Sequence, residues 1–345
     1  MNKEYRVILK KIESKRYKWL ITGVAGFIGS NLLEKLLKMD QIIIGIDNLS
    51  TGSKKNLLEV KNQVTKKQWA NFKFYKLDIT NFKKLKSITK GIDFVLHQAA
   101  LGSVPRSIKN PLDTNNSNVV GFLNILYSSS LSKVKCFVYA SSSATYGDHI
   151  KLPKIETKTG NLLSPYAATK FINEIYADIF SRIYKIKCVG LRYFNVFGQR
   201  QDPNGTYAAV IPKWINSMIQ NKTIKIFGDG KTSRDFCFID NVVCANLLAS
   251  FTKQKKNHEV YNIAASERTS LNKLFNEIKD IAYKNGIKYS YLKKKYYKFR
   301  DGDIKHSLAN INKAKKILGY KPLFFFSEGL SKTFEWYKKK SKRNV

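Results

Sequence analysis

A glycine-rich segment near the start of the chain has the residue types needed to bind a pyrophosphate. In residues 19–31 a short apolar run is followed by Gly23, Gly26 and Gly29, and leucines at helical spacing follow. This is the pattern of a strand, a tight turn and a helix. Glycines let the backbone pass close to a pyrophosphate, whose charge then binds free N–H groups at the helix N-terminus. The segment predicts a dinucleotide site, although three glycines also suit an ordinary strand-to-helix turn.

An acidic residue further along the chain bears on the identity of the dinucleotide. The next apolar run, residues 41–46, ends in Asp47. A carboxylate at this position accepts hydrogen bonds from the adenosine ribose hydroxyls and repels a 2′-phosphate. We therefore predict NAD rather than NADP, with Lys54 and Lys55 nearby as the feature that would favour a phosphate.

A tyrosine and a lysine one helical turn apart could supply a catalytic base. Tyr166 and Lys170 follow Ser164 at a predicted helix start, so their side chains lie on one face. An ammonium group beside a phenol favours the phenolate and makes the tyrosine a usable base near neutral pH. The same spacing occurs at Tyr289 and Tyr291, within a lysine-rich tract typical of a solvated surface. Position rather than spacing identifies Tyr166, because only this tyrosine begins a helix shortly after a serine cluster.

Strands that alternate with helices must position these residues. The pattern predicts an α/β fold, a doubly wound parallel sheet of the Rossmann type with a smaller, mostly C-terminal α+β domain. Ligands of such sheets bind beyond the carboxyl ends of the strands. Asp78, His97 and Ser141 each follow a predicted strand. Asp78 could meet an adenine edge or could cap a helix.

We place the boundary between the two predicted domains near residue 195, where the alternation of strands and helices changes. The predicted cofactor domain spans residues 1–194, and residues 236–262 return to it. Within this return, the apolar run 236–240 is expected to rejoin the sheet. The predicted second domain spans residues 195–345.

Composition narrows the possible partners. The formal net charge is +37, yet only ten of the 62 basic residues are arginine, and the lysines are spread along the whole chain. Nucleic-acid readers favour clustered arginine, so we predict no nucleic-acid partner. No apolar run approaches the roughly 18 residues of a membrane span, and no signal segment is evident. Four cysteines without a Cys-x-x-Cys pair and four scattered histidines predict a reducing, cytoplasmic location and no metal.

Taken together, the motifs resemble the extended short-chain dehydrogenase/reductase family. Within it the sequence looks most similar to bacterial UDP-N-acetylhexosamine C4-epimerases, from Trp19 to about Tyr337. The resemblance rests on five segments of this sequence: residues 23–29, 97–106, 164–170, 191–198 and 233–236.

The resemblance implies a role for each matching residue. It implies a catalytic triad of Ser142, Tyr166 and Lys170, with Ser143 as the alternative serine. The implied cofactor residues are Gly23, Gly26, Phe27, Ile28, Gly29, Asp47, Asn48, Asp78, Ile79, Gln98, Ala99, Tyr166 and Lys170. The implied residues for the UDP-sugar, in a nucleotide-sugar-binding second domain, are Ser103, Ser142, Ser143, Asn195, Ala209, Val210, Trp214, Ile226, Arg234, Arg300, Asp303 and Ser307. Arginine suits a pyrophosphate because its guanidinium presents a fixed fork of donors.

The resemblance also implies a reaction. Tyr166 would remove the proton of the sugar 4-hydroxyl while C4 gives a hydride to NAD⁺, and the 4-keto sugar would then turn and regain the hydride on its other face. In the galactose epimerases a tyrosine matches Ser307, so serine here implies room for an N-acetyl group; Ser307 could also cap a following helix. The expected products are precursors of surface polysaccharides, and a homodimer formed through two helices of each subunit is implied.

Three other functions share features with this sequence. Related 4,6-dehydratases carry Asp-Glu after the triad serine or threonine, but Ser143 and Ala144 stand here and cannot do acid–base work. A binding protein without catalysis is disfavoured by the intact Ser-Tyr-Lys set. An epimerase of UDP-N-acetylhexosaminuronic acids stays open, because basic residues could bind a C6 carboxylate.

Overall fold

A seven-stranded parallel sheet lies at the centre of the computed structural model, which describes residues 2–205, 208–287, 294–299 and 305–343. The strand order across the sheet is β11-β6-β5-β4-β1-β2-β3, and all six pairings are parallel. These strands are β1 (Lys18–Thr22), β2 (Ile42–Asp47), β3 (Phe72–Lys76), β4 (Phe94–His97), β5 (Cys136–Ser142), β6 (Cys188–Tyr193) and β11 (His258–Ile263). After β3, at one edge of the sheet, the chain returns to the middle and forms β4 beside β1. The strand order therefore reverses next to β1, and ligands of such sheets bind at this point.

Helices cover both faces of this sheet, as the alternation of strands and helices predicts. Trp19 and Ile21 pack into one apolar layer, and Leu20 packs into the other, because successive side chains of a strand point to opposite faces. The helices are α1 (Lys3–Glu13), α2 (Phe27–Leu37), α3 (Lys54–Lys61), α4 (Lys66–Trp69), α5 (Phe82–Ile88), α6 (Val104–Lys109), α7 (Pro111–Asn115), a π-helical turn (Asn116–Val120), α8 (Gly121–Leu131), a 3₁₀ turn (Ser143–Tyr146), α9 (Pro165–Ile183), α10 (Val210–Ile219), α11 (Ile239–Phe251), α12 (Leu271–Lys284), α13 (Asn312–Leu318) and α14 (Phe326–Arg343). The doubly wound α/β fold is confirmed.

In the described part of the chain, three small two-stranded sheets lie outside the central one. They pair β7 (Val196–Phe197) with β10 (Cys237–Phe238), β9 (Ser233–Arg234) with β12 (Thr269–Ser270), and β8 (Ile224–Phe227) with β13 (Lys294–Tyr297). The apolar run 236–240 was expected to rejoin the central sheet, and this is wrong, since residues 237–238 pair with β7. The chain instead reaches the central sheet through α11 and β11.

Within the described residues, no helix is both long and apolar enough to cross a membrane. The same part of the chain holds no group of three or more His, Cys, Asp or Glu side chains arranged to bind a metal ion.

Candidate active site

The turn between β1 and α2 and the first turn of the helix need glycine at two positions, 23 and 29. Gly23 has a φ of +68°, and a Cβ there would lie 2.8 Å from the amide nitrogen of Ala99. A Cβ on Gly29 would lie 2.1 Å from the carbonyl oxygen of Gly23. Helix α2 starts after Gly26, which offers no side-chain hydrogen bond to the first turn. The N-terminal N–H groups of α2 are therefore not capped by a side chain, and they suit the pyrophosphate of a dinucleotide.

A cleft of about 1560 Å³ opens in front of this turn. Its lining includes ten of the residues predicted for the cofactor, namely Gly23, Gly26, Phe27, Ile28, Gly29, Asp47, Asn48, Ile79, Gln98 and Ala99. Ser103, predicted for the substrate, lines it as well. Small-molecule sites typically measure about 300–1,000 Å³, so this cleft has room for more than one ligand group.

Asp47 is held at the end of β2 by two backbone donors. Its Oδ2 accepts a hydrogen bond from the amide of Ala25 (2.9 Å), and Oδ1 accepts one from the amide of Leu49 (2.8 Å). Burial raises the pKa of the Asp47 carboxyl, while these two hydrogen bonds lower it. Each carboxylate oxygen retains further acceptor capacity for a ribose hydroxyl.

Asp78 does not line the cleft itself, but it is bonded to Asn48, which does. Its Oδ1 accepts hydrogen bonds from the amide (2.8 Å) and hydroxyl (2.7 Å) of Thr80, and Oδ2 accepts one from Asn48 Nδ2 (2.6 Å). Burial opposes these bonds, but the pKa of Asp78 lies below its usual range. The N-cap of α5 is Asn81, so the alternative role of Asp78 as that helix cap is wrong. Its neighbour Ile79 is the residue that reaches the cleft.

The side chain of Gln98 is fixed by two residues of later elements. Its Oε1 accepts a hydrogen bond from the hydroxyl of Tyr193 (3.1 Å), and its Nε2 donates one to Asn246 Oδ1 (3.1 Å). Asn246 Nδ2 closes the triangle by donating to the Tyr193 hydroxyl (2.9 Å). The cofactor cleft is thereby tied to β6 and α11.

The end of β5 and the start of α9 bring Ser142, Tyr166 and Lys170 together. Helix α9 begins at Pro165 because Ser164 caps it, accepting a hydrogen bond from the amide of Ala167 (3.1 Å). Burial raises the pKa of Tyr166, and a side-chain hydrogen bond with Ser142 lowers it. Lys170 Nζ donates to the carbonyl of Ala140, 2.8 Å away. Burial lowers the pKa of Lys170 to about 8, against an opposing contribution from Glu174.

Ser143, the alternative serine, opens the 3₁₀ turn that follows β5. Ser142 Oγ caps this turn by accepting a hydrogen bond from the amide of Ala144 (3.1 Å). Of the two serines, Ser142 is the one whose side chain lowers the pKa of Tyr166.

A second pocket of about 460 Å³ lies beside the cleft, in the C-terminal half of the chain. Its lining includes Asn195, Ala209, Val210, Trp214 and Arg234, all predicted for the substrate. Ile226 is fully buried in the core, and its neighbour Phe227 lines the pocket. Arg300 and Asp303 lie outside the described residues, as do Tyr289 and Tyr291.

Ser307 does not line this pocket itself but is hydrogen-bonded to Asn195, which does. Its Oγ accepts hydrogen bonds from Asn195 Nδ2 (3.2 Å) and from the amide of Asp235 (3.4 Å), and its own amide donates to Ser233 O (3.0 Å). Helix α13 begins at Asn312 with Ile311 as its N-cap, so the expectation that Ser307 caps a helix is wrong. Asp235 is fully buried and accepts the amides of Ala265 and Ala309, both at 3.1 Å.

Some residues of the cleft were not predicted from the sequence. Gln201, Tyr337 and Lys340 line its far side, and Lys55 lies on its near side. Lys55 was noted only as a possible phosphate ligand. No local motif marks the residues of α14, which reach the cleft from the opposite end of the chain.

Comparison with known proteins agrees with this arrangement. A model of the NAD dependent epimerase/dehydratase family matches residues 19–264. The chain belongs to this family. The cofactor of this epimerase/dehydratase is accordingly NAD, and the glycine turn and Asp47 fit it.

Three relatives illustrate the range within the epimerase/dehydratase family. A putative UDP-glucose 4-epimerase of Methanocaldococcus jannaschii is 36% identical over 92% of this chain and 98% of its own length. The structure of a UDP-N-acetylglucosamine 4-epimerase from Methanobrevibacter ruminantium, in complex with UDP-N-acetylmuramic acid, has a TM-score of 0.86 and 36% identity, covering 94% of this chain and 99% of the other. A UDP-glucuronic acid 4-epimerase from Bacillus cereus, with UDP-glucuronic acid and NAD, has a TM-score of 0.82 and 30% identity, covering 93% and 99%.

Proposed function

We propose that this protein interconverts the C4 epimers UDP-GlcNAc and UDP-GalNAc with NAD as cofactor. The general activity, epimerisation of UDP-sugars at C4, is supported by the family and by its named relatives. The N-acetyl preference is carried by Ser307, whose small side chain bonds to Asn195, a residue of the second-pocket lining, and to the amide of Asp235.

The roles of the triad follow from its positions. Tyr166, as the phenolate, takes the proton of the sugar 4-hydroxyl, and Ser142 holds the C4 oxygen through the same hydroxyl that contacts Tyr166. The charge of Lys170 favours the phenolate. Bound NAD would supply the hydride chemistry at C4 of the sugar, as acceptor and then as donor to the opposite face.

The remaining predicted residues divide between the two cavities. We propose that the cleft residues Gly23–Gly29, Asp47, Asn48, Ile79, Gln98 and Ala99 hold NAD, with Asp78 supporting Asn48. We propose that the second pocket holds the UDP part of the substrate, with Trp214 and Arg234 in its wall. Arg300 and Asp303 keep their predicted substrate roles. We also propose the division into a cofactor domain of residues 1–194, to which residues 236–262 return, and a substrate domain of residues 195–345.

A second candidate is epimerisation of the corresponding UDP-N-acetylhexosaminuronic acids. One relative named above acts on UDP-glucuronic acid, so a C6 carboxylate is accommodated within this family. Basic residues are abundant in this chain. The choice between the two candidates depends on the C6 group alone, because both substrates carry the acetyl group.

The decisive experiment is a parallel assay of the purified protein with UDP-GlcNAc, UDP-GalNAc, UDP-glucose, UDP-galactose and the matching uronic acids. We expect the highest kcat/KM with the two acetylated hexoses. Ser307→Tyr should lower kcat/KM for these two by about tenfold or more, because overpacking a formed pocket costs about 1–3 kcal/mol. UDP-glucose and UDP-galactose should be largely spared.

The control is Ser87→Tyr, which adds the same side chain on the exposed face of α5, outside the linings of both cavities. Equal loss of all four hexoses in Ser307→Tyr would show that Ser307 only supports the fold. A preference of the wild-type protein for the uronic acids would select the second candidate.

Three further proposals accompany this function. A cytoplasmic location is supported by four buried cysteines that are all free thiols. Synthesis of surface polysaccharide precursors follows from the substrates proposed. Homodimer formation is supported by exposed apolar side chains on helices around α9.

A further inference from the structure

A buried ion pair lies behind the triad, and none of the steps above uses it. Glu174 Oε1 accepts a hydrogen bond from Arg192 Nε (2.9 Å), and Oε2 accepts one from Arg192 NH2 (2.7 Å). Only 4% of the Arg192 side chain and 8% of the Glu174 side chain are exposed. Such a bidentate pair is geometrically specific, and removing one partner leaves a buried charge without compensation.

The pair is connected to the triad through β5. Glu174 lies one turn after Lys170 on α9, and its Oε1 also accepts a hydrogen bond from Ser141 Oγ (2.5 Å). Lys170 bonds to the carbonyl of Ala140. Successive turns of α9 are thus attached to successive residues of β5, immediately before Ser142.

The charges of these groups act on one another. The carboxylate of Glu174 raises the pKa of Lys170, opposing the effect of burial. Arg192 neutralises that carboxylate at hydrogen-bond distance. Without the guanidinium, a full negative charge would lie one turn from Lys170 and would oppose the field that favours the phenolate of Tyr166.

We propose that Arg192 is a positioning residue for the catalytic tyrosine. By binding Glu174 it cancels the negative charge behind Lys170, so that the ammonium of Lys170 acts on Tyr166 undiminished. This inference rests on the proposed function, since it assigns a purpose to the charge balance behind the proposed base.

Other titratable groups around the pair are held neutral or already paired, except Glu156, whose Oε1 accepts a hydrogen bond from the amide of Asn262 (2.9 Å) and whose backbone carbonyl accepts one from Arg192 (3.2 Å). His97 on β4 faces Lys170, and burial lowers its pKa to about 3. Burial raises the pKa of Tyr139 on β5 and lowers that of His258 on β11, so both are neutral. Tyr146 lies under the Arg192 guanidinium, 4.8 Å from it, with a raised pKa. Asp178, further along α9, pairs with Arg182 at the surface.

The test is the pH dependence of kcat/KM in Arg192→Met, Glu174→Gln and the double variant. Activity requires the phenolate, so it rises with pH through the pKa of Tyr166. Arg192→Met leaves the Glu174 carboxylate unpaired, and its negative charge raises the pKa of Tyr166. The acid limb of the profile should therefore move to higher pH by about one unit, so that kcat/KM at a pH below the limb falls about tenfold. Glu174→Gln leaves an extra positive charge and moves the limb to lower pH. The double variant should return within about 0.3 unit of the wild type, because it removes both charges of the pair.

The surface variant Arg182→Met is the matched control, since it breaks an arginine–aspartate pair on the same helix and should leave the limb in place. If Arg192→Met does not fold, Glu174→Gln and the double variant still decide the matter. Lower activity with an unmoved limb in the folded variants would overturn the inference and leave a purely structural pair. Absence of turnover in the wild type with any UDP-sugar would instead refute the proposed function.

Discussion

Tyr166 is held more firmly than its place at a helix start would suggest. The side chain of Ser142, at the end of β5, lowers the pKa of the Tyr166 phenol, and Thr169 in the same turn donates to the backbone carbonyl of Tyr166 (2.8 Å). The N-cap Ser164 fixes where the helix begins. The backbone of Tyr166 is therefore fixed at the first turn of α9, and a fixed position is a property that a general base needs.

Replacing this hydroxyl tests its role directly. Tyr166→Phe keeps the ring and removes only the group that takes the proton, so kcat should fall by about 10²–10⁴-fold. Tyr176→Phe in the same helix is the control and should keep full activity. NAD retained by each purified protein, measured after heat release, should be equal. Turnover of Tyr166→Phe within threefold of the wild type would contradict the assignment.

For single residues, the sequence predicts a role where the residue belongs to a local pattern, but it does not predict which distant residues bond to it. Asp47 and Tyr166 could be predicted because each follows a strand or opens a helix, where ligands of parallel sheets bind. Arg192 was visible only as part of a motif, because its contact with Glu174 depends on how α9 lies against β6. Asn246 carries no local signal, since it is a polar residue in a helix that is otherwise buried.

Among the elements, α14 has an unexpected position. It starts at Phe326, yet Tyr337, Lys340 and Ser341 line the cleft that begins at the glycine turn. The hydroxyl of Tyr337 donates to the carbonyl of Gln201. Trp336 Nε1 donates to Glu59 of α3 (2.7 Å), so α14 is bonded to an element of the cofactor half. The C-terminal helix therefore forms part of the wall of the cleft that we propose to hold NAD.

Lys340 should strengthen retention of NAD. Its Nζ lies 4.5 Å from the Trp336 ring, and burial together with the positive charges of Lys55 and Arg200 lowers its pKa. A positive charge in this wall attracts the negatively charged pyrophosphate of a bound dinucleotide. Lys340→Met should release NAD about tenfold faster, the effect of losing a charge-assisted contact of about 1.5 kcal/mol.

The measurement is NAD release from the loaded protein, followed by the loss of bound dinucleotide during gel filtration. Lys339→Met, an exposed neighbour on the same helix, should release NAD at the wild-type rate. Lys340→Arg should restore retention, because it keeps the charge. Equal release from the Lys340→Met and Lys339→Met proteins would remove Lys340 from the cofactor site.

The central sheet could be predicted from sequence, whereas the small sheets could not. Strands buried on both faces read as continuous apolar runs, as in residues 42–47 and 136–142. The run 236–240 has the same composition, but its two strand residues pair with β7, because a short apolar run does not specify its partner. Residues of α14 reach the cleft through packing across more than 300 positions of sequence, which no local pattern encodes.

At the scale of the whole molecule, one apolar surface lies on α9 and the two helices beside it. Leu112 of α7 is 83% exposed, and Ile108 and Ile175 are exposed on α6 and α9. Both α6 and α7 pack against α9. Clustered exposed leucine and isoleucine on adjoining helices are typical of a protein–protein contact, which supports the proposed homodimer.

Charges placed on this surface should separate the dimer. Burying a leucine or isoleucine side chain stabilises a contact by about 1.5–3 kcal/mol, and a two-fold axis counts each position twice. Leu112→Glu with Ile175→Glu should therefore raise the dissociation constant by at least about 100-fold, so that sedimentation velocity finds a dimer for the wild type and a monomer for the variant. Ile150→Glu is the control, because Ile150 is 90% exposed on a loop after the triad serines and should leave the dimer intact. Each subunit carries its own Ser142, Tyr166 and Lys170, so the monomeric variant should keep its turnover per site. A wild-type monomer at micromolar concentration, or a variant that stays dimeric, would exclude this surface as the contact.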